Sequence, residues 1–293
     1  MSEQPRPPTI EQVCKKSLSL PCAPSLLPRL SGVLRSDNSS SYEIERLISL
    51  DSSLAAATLR LANSAAFGRG GIDTLESAIL RLGAKEIYRL AALVLVSRWE
   101  VGSGTLLRWE PGDFSRHALC VAIAAEVLAE ATERLDPQTA YTAGLVCDLG
   151  KLALAHSCAE FYPVIRADCA DRKCTWEESE RAVLGYTCAE VSERLLKAWK
   201  FPVTFVGAAQ FMTRPNEAPA EVVPLLAHLH AAKYLATSLG PGVTEDGFLV
   251  SLPGNFLREW GFTQEMLEEA MPIVLGRAVD RLGEKLTTGP VTI

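Results

Sequence analysis

Residues 140–154 read AYTAGLVCDLGKLAL, an apolar segment whose charged residues are Asp148 and Lys151. Apolar residues recur at helical spacing in this stretch, which predicts a helix that ends near Asp148. From the residues alone, Asp148 is interpreted as a carboxylate at a helix end or bonded to a neighbouring amide, and Lys151 could pair with it. Helical spacing dominates the rest of the chain and strand alternation is almost absent, so the sequence predicts an all-α protein.

Capping residues mark the expected helix boundaries. Asp51 and Thr74 can each cap a helix, and Gly83 lies at the end of the second one. Asp136-Pro137 is an N-cap followed by a first-turn proline, and Asp113 or Ser115 can start a long helix that runs to about Arg134. Capping boxes are expected at three pairs: Ser40/Glu43, Thr175/Glu178 and Thr187/Glu190.

The glycine-rich segment NSAAFGRGGID, residues 63–73, resembles a phosphate-binding loop only superficially. It follows a helix rather than a strand, and Gly68-Arg69-Gly70-Gly71 lacks the Walker lysine and hydroxyl residue. The favoured interpretation is structural, with glycines that turn the chain and Phe67 filling the core.

Composition excludes several classes of protein. The 293 residues are 48% hydrophobic and 22% charged with a net charge of −6, as in ordinary globular proteins. The acidic balance argues against a nucleic-acid binder, which normally carries a basic face. The N-terminal residues lack the apolar core of a secretory signal, and no apolar run approaches the roughly 18 residues of a membrane span. We therefore expect a cytoplasmic protein that binds neither nucleic acid nor membrane.

The eight cysteines form no C-x-x-C motif and no paired framework that suits a chain of this length. Reduced thiols are therefore expected, with Cys120, Cys147 and Cys188 behaving as small buried hydrophobes. His117 lies at helical spacing with Val121 and Leu128, so it points into an apolar face. A core histidine satisfied by one hydrogen bond is favoured there over a metal ligand.

Several segments together carry a resemblance to a known family. They are YEIERLISLDSSLAAATLRLANSAAFG (42–68), IDTLESAILRLGAKEIYRLA (72–91), DFSRHALCVAIAAEVLAE (113–130), AYTAGLVCDLGKLAL (140–154), LGYTCAEVSERLLKAWKFP (184–202) and AQFMTRP (209–215). Their order and content resemble the HDOD family, the "HD-related output domain" of bacterial signalling proteins. The resemblance covers about residues 18–215 and, more weakly, continues to residue 239.

The resemblance implies an N-terminal helical bundle packed on a helical subdomain related to the HD phosphohydrolases. On this basis residues 18–240 form the HDOD domain, with an N-terminal half at 18–100 and an HD-like half at 110–240. Residues 1–17 and 241–293 are expected to be an N-terminal extension and a C-terminal helical extension.

In catalytic HD proteins, imidazoles and carboxylates on several helices bind one or two cations, which make a bound water nucleophilic. The first histidine of that pattern is matched here by His117. The adjacent His-Asp pair is matched by Cys147-Asp148, so only the carboxylate remains. A histidine in a following G-x-x-H segment is matched by Cys188.

The later ligands are also replaced. Paired histidines before a proline are matched by Met212-Thr213, and the late aspartate falls near Lys233, whose ammonium would repel a metal. His228 and His230 lie nearby, but their spacing of two places them on different helix faces. The predicted vestigial pocket therefore comprises His117, Cys147, Asp148, Lys151, Cys188 and Lys233, with no catalytic residue, metal or cofactor.

The resemblance favours a non-catalytic signalling module that acts through protein–protein interaction and could also sense a small ligand. Sensor kinases, response regulators and cyclic-di-GMP enzymes are the partners that it implies. The alternative is a divergent metal-dependent phosphohydrolase acting on a nucleotide or cyclic dinucleotide. In a third interpretation, Lys151, Arg116 and Lys233 contact an anionic ligand without turnover, although Arg116 is expected to be solvated helix surface.

Overall fold

The computed structural model describes residues 6–18, 26–34, 41–64, 67–68, 71–98, 112–240 and 254–282. These residues form α-helices and short 3-10 turns with no strand among them, which confirms the all-α prediction. Within these ranges no helix is long and apolar enough to cross a bilayer.

The chain divides into two compact units, one of residues 22–98 and one of residues 1–21 with 99–292. The unit of residues 22–98 contains α2 (Leu26–Leu34), α3 (Ser41–Ser49), α4 (Ser52–Ala62) and α5 (Leu75–Ser97). The second unit contains α1 (Ile10–Leu18), α6 (Asp113–Thr132), α7 (Pro137–Val146), α8 (Leu149–Cys158), α9 (Tyr162–Arg172), α10 (Trp176–Leu184), α11 (Cys188–Ala198), α12 (Val203–Gln210), α13 (Val223–Ser238), α14 (Gly254–Glu259) and α15 (Gln264–Leu282). The boundaries expected at residues 17/18 and 240/241 stay predictions.

In the unit of residues 22–98, α3 and α4 pack against α5. Helix α5 bends at Gly83, whose φ of 74° and ψ of 160° interrupt the helix at the predicted end. Asp51 caps α4 by accepting hydrogen bonds from the backbone of Ser53 and Leu54. The same carboxylate forms an ion pair with Arg98, just after α5.

An asparagine side chain bridges the two ends of the glycine-rich segment. The Asn63 amide donates to the Ile72 carbonyl and accepts from the Ile72 backbone N–H, both at 2.8 Å. Phe67 is half-buried, so it fills the core less completely than expected.

The second unit is built around α6, which is buried at every residue from Phe114 to Ala129. Helices α7, α13 and α15 pack around it, while α8 packs against α11. Helix α1 lies on α8 and α11, where Arg194 pairs with Glu11 at 2.6 Å. Helix α15 is tied to α6 by Arg277, which lies 2.7 Å from the Glu130 carboxylate.

Most predicted caps of this unit are confirmed. Thr175/Glu178 and Thr187/Glu190 form reciprocal capping boxes at α10 and α11. Asp136 accepts from the backbone of Thr139 at the start of α7. Ser40, the N-cap predicted for α3, lies outside the described residues.

Two glycines permit close helix contacts that position the site. A Cβ on Gly144 of α7 would lie 2.7 Å from the Ala122 Cα of α6. A Cβ on Gly150 of α8 would lie 1.9 Å from the Cys188 carbonyl oxygen at the start of α11. Both distances are shorter than real Cβ contacts. Gly144 therefore lets α7 approach α6, and Gly150 lets α8 approach α11.

Candidate functional site

Three of the predicted pocket residues meet where α6, α8 and α13 converge. His117 comes from α6, Asp148 precedes α8, and Lys233 comes from α13. Lys233 Nζ donates to Asp148 Oδ1 at 3.0 Å, and His117 Nε2 lies 3.8 Å from Asp148 Oδ2. The resemblance had matched these three positions to the metal-binding positions of HD proteins, and the structure brings all three together.

The contact between Lys233 and Asp148 is a largely buried ion pair. The side chains are 14% and 11% exposed. Burial disfavours both charges, but the Lys233 and Lys151 ammonium groups outweigh it and hold the pKa of Asp148 well below its usual range. In the same way, Asp148 raises the pKa of Lys233 against the effect of burial. Both groups therefore stay charged through the neutral range.

Asp148 occupies the N-cap position of α8 but makes no capping hydrogen bond. Its carboxylate instead faces Lys233 and His117, and Oδ2 has no hydrogen-bond partner. The distance from His117 Nε2 to Oδ2 exceeds hydrogen-bond length. The hydrogen bond from Lys233, rather than a capping bond, thus orients Asp148. The interpretation of Asp148 as a carboxylate at a helix end is confirmed, whereas the alternative of a bond to a neighbouring amide is wrong.

The two thiols of the pocket are buried and hold their protons. Cys147 donates its thiol to the Gly144 carbonyl at 3.3 Å. Burial and the nearby Asp148 carboxylate raise its pKa to about 12, and burial with Glu180 raises that of Cys188 well above its usual value. In the metal-free protein both thiols therefore stay protonated near neutral pH, and a metal ion would have to displace their protons to bind them.

The donor set does not fit the divalent cation of HD enzymes. Among the described residues, no group of three or more His, Cys, Asp and Glu side chains is placed to hold a metal ion. The remaining carboxylate, Asp148, already has an ammonium 3.0 Å away, and Lys151 adds a second positive charge near it. A divalent ion would have to displace one of these charges or tolerate their repulsion.

The other charged and histidine residues singled out from the sequence lie apart from this pocket or are otherwise engaged. Arg116 is 8% exposed and pairs with Asp113, so the expectation of a solvated side chain is wrong. His228 is hydrogen-bonded to Thr132 Oγ1 at 2.8 Å. His230 is buried against the ring of Phe256.

Glu180 is a buried residue next to the pocket that the sequence analysis did not identify. Glu180 on α10 is 1% exposed. Its carboxylate accepts from the Trp176 indole at 3.0 Å and from the Cys188 backbone N–H at 2.7 Å. It therefore fixes the start of α11 beside Gly150. Its position four residues after Trp176, one helical turn away, is the sequence signal that could have predicted this hydrogen bond.

Comparison with known proteins agrees with this architecture. The sequence pattern of the family described as HDOD domain matches residues 20–215. Among curated proteins, a sequence search found no match.

Solved structures with a similar fold include the following three bacterial proteins. An HDOD domain protein of unknown function from Geobacter sulfurreducens superposes with a TM-score of 0.68 at 20% identity, over 94% of this chain and 98% of that one. A protein from Shewanella amazonensis SB2B, provisionally named a phosphohydrolase, gives 0.68 at 26% identity, over 92% and 96%. A protein from Marinobacter aquaeolei VT8, provisionally named a signal transduction protein, gives 0.71 at 20% identity, over 94% and 60%.

Proposed function

The chain belongs to the HDOD domain family, and from this membership we propose that it is a non-catalytic signal-transduction module that acts by binding other proteins. Family analogy suggests a sensor kinase, a response regulator or a cyclic-di-GMP enzyme as the partner. The similarity in fold to the Marinobacter protein is in keeping with a signalling role. Because a fold does not determine function, the chemistry of the pocket provides the support for the absence of catalysis.

The ion pair between Lys233 and Asp148 supports the non-catalytic part of this proposal. Metal-dependent phosphoester hydrolysis requires a cation that lowers the pKa of a bound water and neutralises phosphate charge. Here the carboxylate that would hold such a cation is 3.0 Å from a lysine ammonium. An ammonium supplies positive charge, but it has no open coordination position and cannot activate water.

Metal content and hydrolysis test the absence of catalysis. Purified protein incubated with Mn²⁺, Fe²⁺ or Zn²⁺ and then desalted should retain far less than one ion per chain by elemental analysis. The same samples should not hydrolyse bis(p-nitrophenyl) phosphate or cyclic di-GMP. Stoichiometric metal, together with turnover that disappears in Asp148→Asn, would establish the phosphohydrolase alternative, which the provisional name of the Shewanella protein supports.

Partner binding needs its own experiment. Cross-linking of the tagged chain in its native host, followed by mass spectrometry, should recover a signalling protein in fixed stoichiometry. Purified partner and chain should then form a complex on size-exclusion chromatography. Recovery of no specific partner, with the chain folded and expressed at its normal level, would contradict the proposal.

An anion-sensing role has weaker support from the contacts. Of the three cationic residues expected to bind the anion, Arg116 pairs with Asp113 and Lys233 pairs with Asp148. We therefore expect nucleotides and inorganic phosphate to leave the melting temperature of the protein unchanged. A saturable rise in melting temperature would instead reveal binding through linkage.

A further inference from the structure

A left-handed turn joins α9 to α10, far along the chain from the pocket residues His117 and Lys233. Helix α9 is followed by Lys173, whose φ of 52° and ψ of 43° lie in the left-handed region. Such a residue reverses the chain, so that the next residue contacts the last turn of the helix that it has just left. Here the next residue is Cys174, and the helical position that it folds back on is Cys169.

The two cysteines are neighbours on this turn. After a left-handed residue, the next residue packs on the helical residue five positions before it, which places Cys174 beside Cys169. The Cys169 thiol donates to the Thr175 carbonyl at 3.6 Å, so it lies against the backbone that follows Cys174. Burial raises the pKa of Cys169, and the neighbouring Cys174 thiol adds to this effect.

The turn is held on both sides. Before it, Arg172 forms an ion pair with Asp168, and the Asp168 carboxylate also accepts from Ser179 at 2.7 Å. After it, Thr175 and Glu178 form the capping box of α10. The two sulfurs are thus kept together by the fold before any bond forms between them, which favours an intramolecular reaction.

Exposure separates this pair from the remaining described cysteines. Cys169 and Cys174 are half-buried, whereas the others within the described residues are buried: Cys14, Cys120, Cys147, Cys158 and Cys188. Oxidation of cysteine requires access as well as a thiolate. The pair on the turn meets the access requirement, and the buried thiols do not.

We propose that Cys169 and Cys174 form a reversible intramolecular disulfide, which makes the α9–α10 turn a thiol-oxidation site. This inference goes beyond the signalling function and does not depend on it. It assigns a modification to a region that contributes no residue to the pocket around Asp148.

The oxidant would be a low-molecular-weight disulfide, of which oxidised glutathione is the usual example. One cysteine loses its proton and its thiolate attacks the oxidant, which forms a mixed disulfide and releases one thiolate. The second cysteine, also deprotonated, attacks the protein sulfur of the mixed disulfide and releases the second thiolate. The bond between Cys169 and Cys174 forms, two electrons pass to the oxidant, and the two protons convert its halves to thiols.

Trypsin provides a direct test, because it cleaves after Arg172 and Lys173, between the two cysteines. Native protein treated with oxidised glutathione, blocked with iodoacetamide and digested should yield peptides 167–172 and 174–181 joined as one species. Dithiothreitol should separate them. Cys169→Ser and Cys174→Ser should each abolish the joined species, and Cys120→Ser, at a buried position, should retain it.

Two results would overturn the inference. The first is recovery of peptides 167–172 and 174–181 only singly, alkylated or each carrying glutathione. The second is a joined species that pairs either peptide with another cysteine to the same extent. Circular dichroism of each sample establishes that the protein was folded, and the wild-type peptide map decides the question if a serine variant does not fold.

Discussion

Lys233 and Asp148 each stabilise the charged form of the other, because both side chains are largely shielded from water. Lys233→Met leaves a carboxylate buried without its ammonium, and removal of one partner of a buried pair typically costs about 3 to 5 kcal/mol. We therefore expect Lys233→Met to lower the free energy of unfolding, measured in urea, by roughly that amount. Asp148→Asn combined with Lys233→Met should recover much of the loss, because no uncompensated charge remains.

An exposed ion pair provides the matched control for these substitutions. Arg214 and Glu217 lie 3.0 Å apart with side chains 54% and 59% exposed. Arg214→Met should change the free energy of unfolding by at most about 1 kcal/mol. A Lys233→Met effect as small as the effect of Arg214→Met would contradict the central position of the buried pair.

His230 makes stability depend on pH. Burial lowers its pKa from 6.5 to about 4. Between these values the unfolded chain binds a proton that the folded chain does not, so acidification favours unfolding. The free energy of unfolding should fall by about 3 kcal/mol from this residue as pH drops from about 6.5 to about 4.

His230→Gln tests this dependence, because glutamine does not titrate in that range. Urea unfolding at several pH values should show a shallower slope for the variant than for the wild type. Some slope remains, since burial also lowers the pKa of His228. Identical slopes for the two proteins would exclude His230 as the source.

At the level of helices, Gly150 lies where α8 packs tightly against the start of α11. The backbone N–H of Gly150 donates to Ser192 Oγ at 2.8 Å, and a Cβ there would lie 1.9 Å from the Cys188 carbonyl oxygen. Gly150→Ala should therefore force α8 away from α11 and cost about 3 kcal/mol or more of stability.

Gly276 of α15 is the control, because nothing lies within 4 Å of a Cβ built there. Gly276→Ala should stabilise the protein by about 0.5 to 1 kcal/mol, since alanine loses less conformational entropy in a helix. Thermal denaturation of the two variants should move in opposite directions. A neutral Gly150→Ala would show that α8 and α11 separate at no cost.

Local signals account for what the sequence predicted about these elements. Capping boxes at Thr175 and Thr187, the N-cap Asp136 and the break at Gly83 depend on neighbours within one or two turns, which the sequence displays directly. The burial of Arg116 depends on helices that are remote in sequence, and the helical period alone did not show that α6 is covered on all sides.

Across the whole molecule, contacts link α1 to helices that follow it by more than a hundred residues. Val13 of α1 is fully buried, whereas Lys15 is exposed. Val13→Asp places an unpaired charge against α8 and α11 and should lower the free energy of unfolding by about 3 kcal/mol or more. Lys15→Asp, two residues away, should change it by about 0.5 kcal/mol or less.

Urea denaturation followed by tryptophan fluorescence measures this difference, because Trp176 and Trp199 belong to the same unit as α1. Equal effects of the two substitutions would mean that α1 contributes nothing to the stability of that unit. The resemblance begins at about residue 18, so it carried no information about the packing of α1, and the boundary at residues 17/18 stays a prediction.

At the candidate site, too, the sequence predicted which residues share a pocket but not which side chains pair there. The resemblance placed His117, Asp148 and Lys233 at equivalent positions of one pocket, and the structure joins them. It predicted that Lys233 would repel a cation but not that its ammonium would bind the remaining carboxylate. That result required the positions of α8 and α13 relative to each other.

The pairing of Lys233 with Asp148 also determines where the positive charge beside the carboxylate comes from. The positive charge beside the carboxylate is the ammonium group of a lysine side chain, so it is present in every copy of the protein. Chelators cannot strip it and metal starvation cannot deplete it. The ion pair itself therefore forms when the chain folds and requires no ion from the cell.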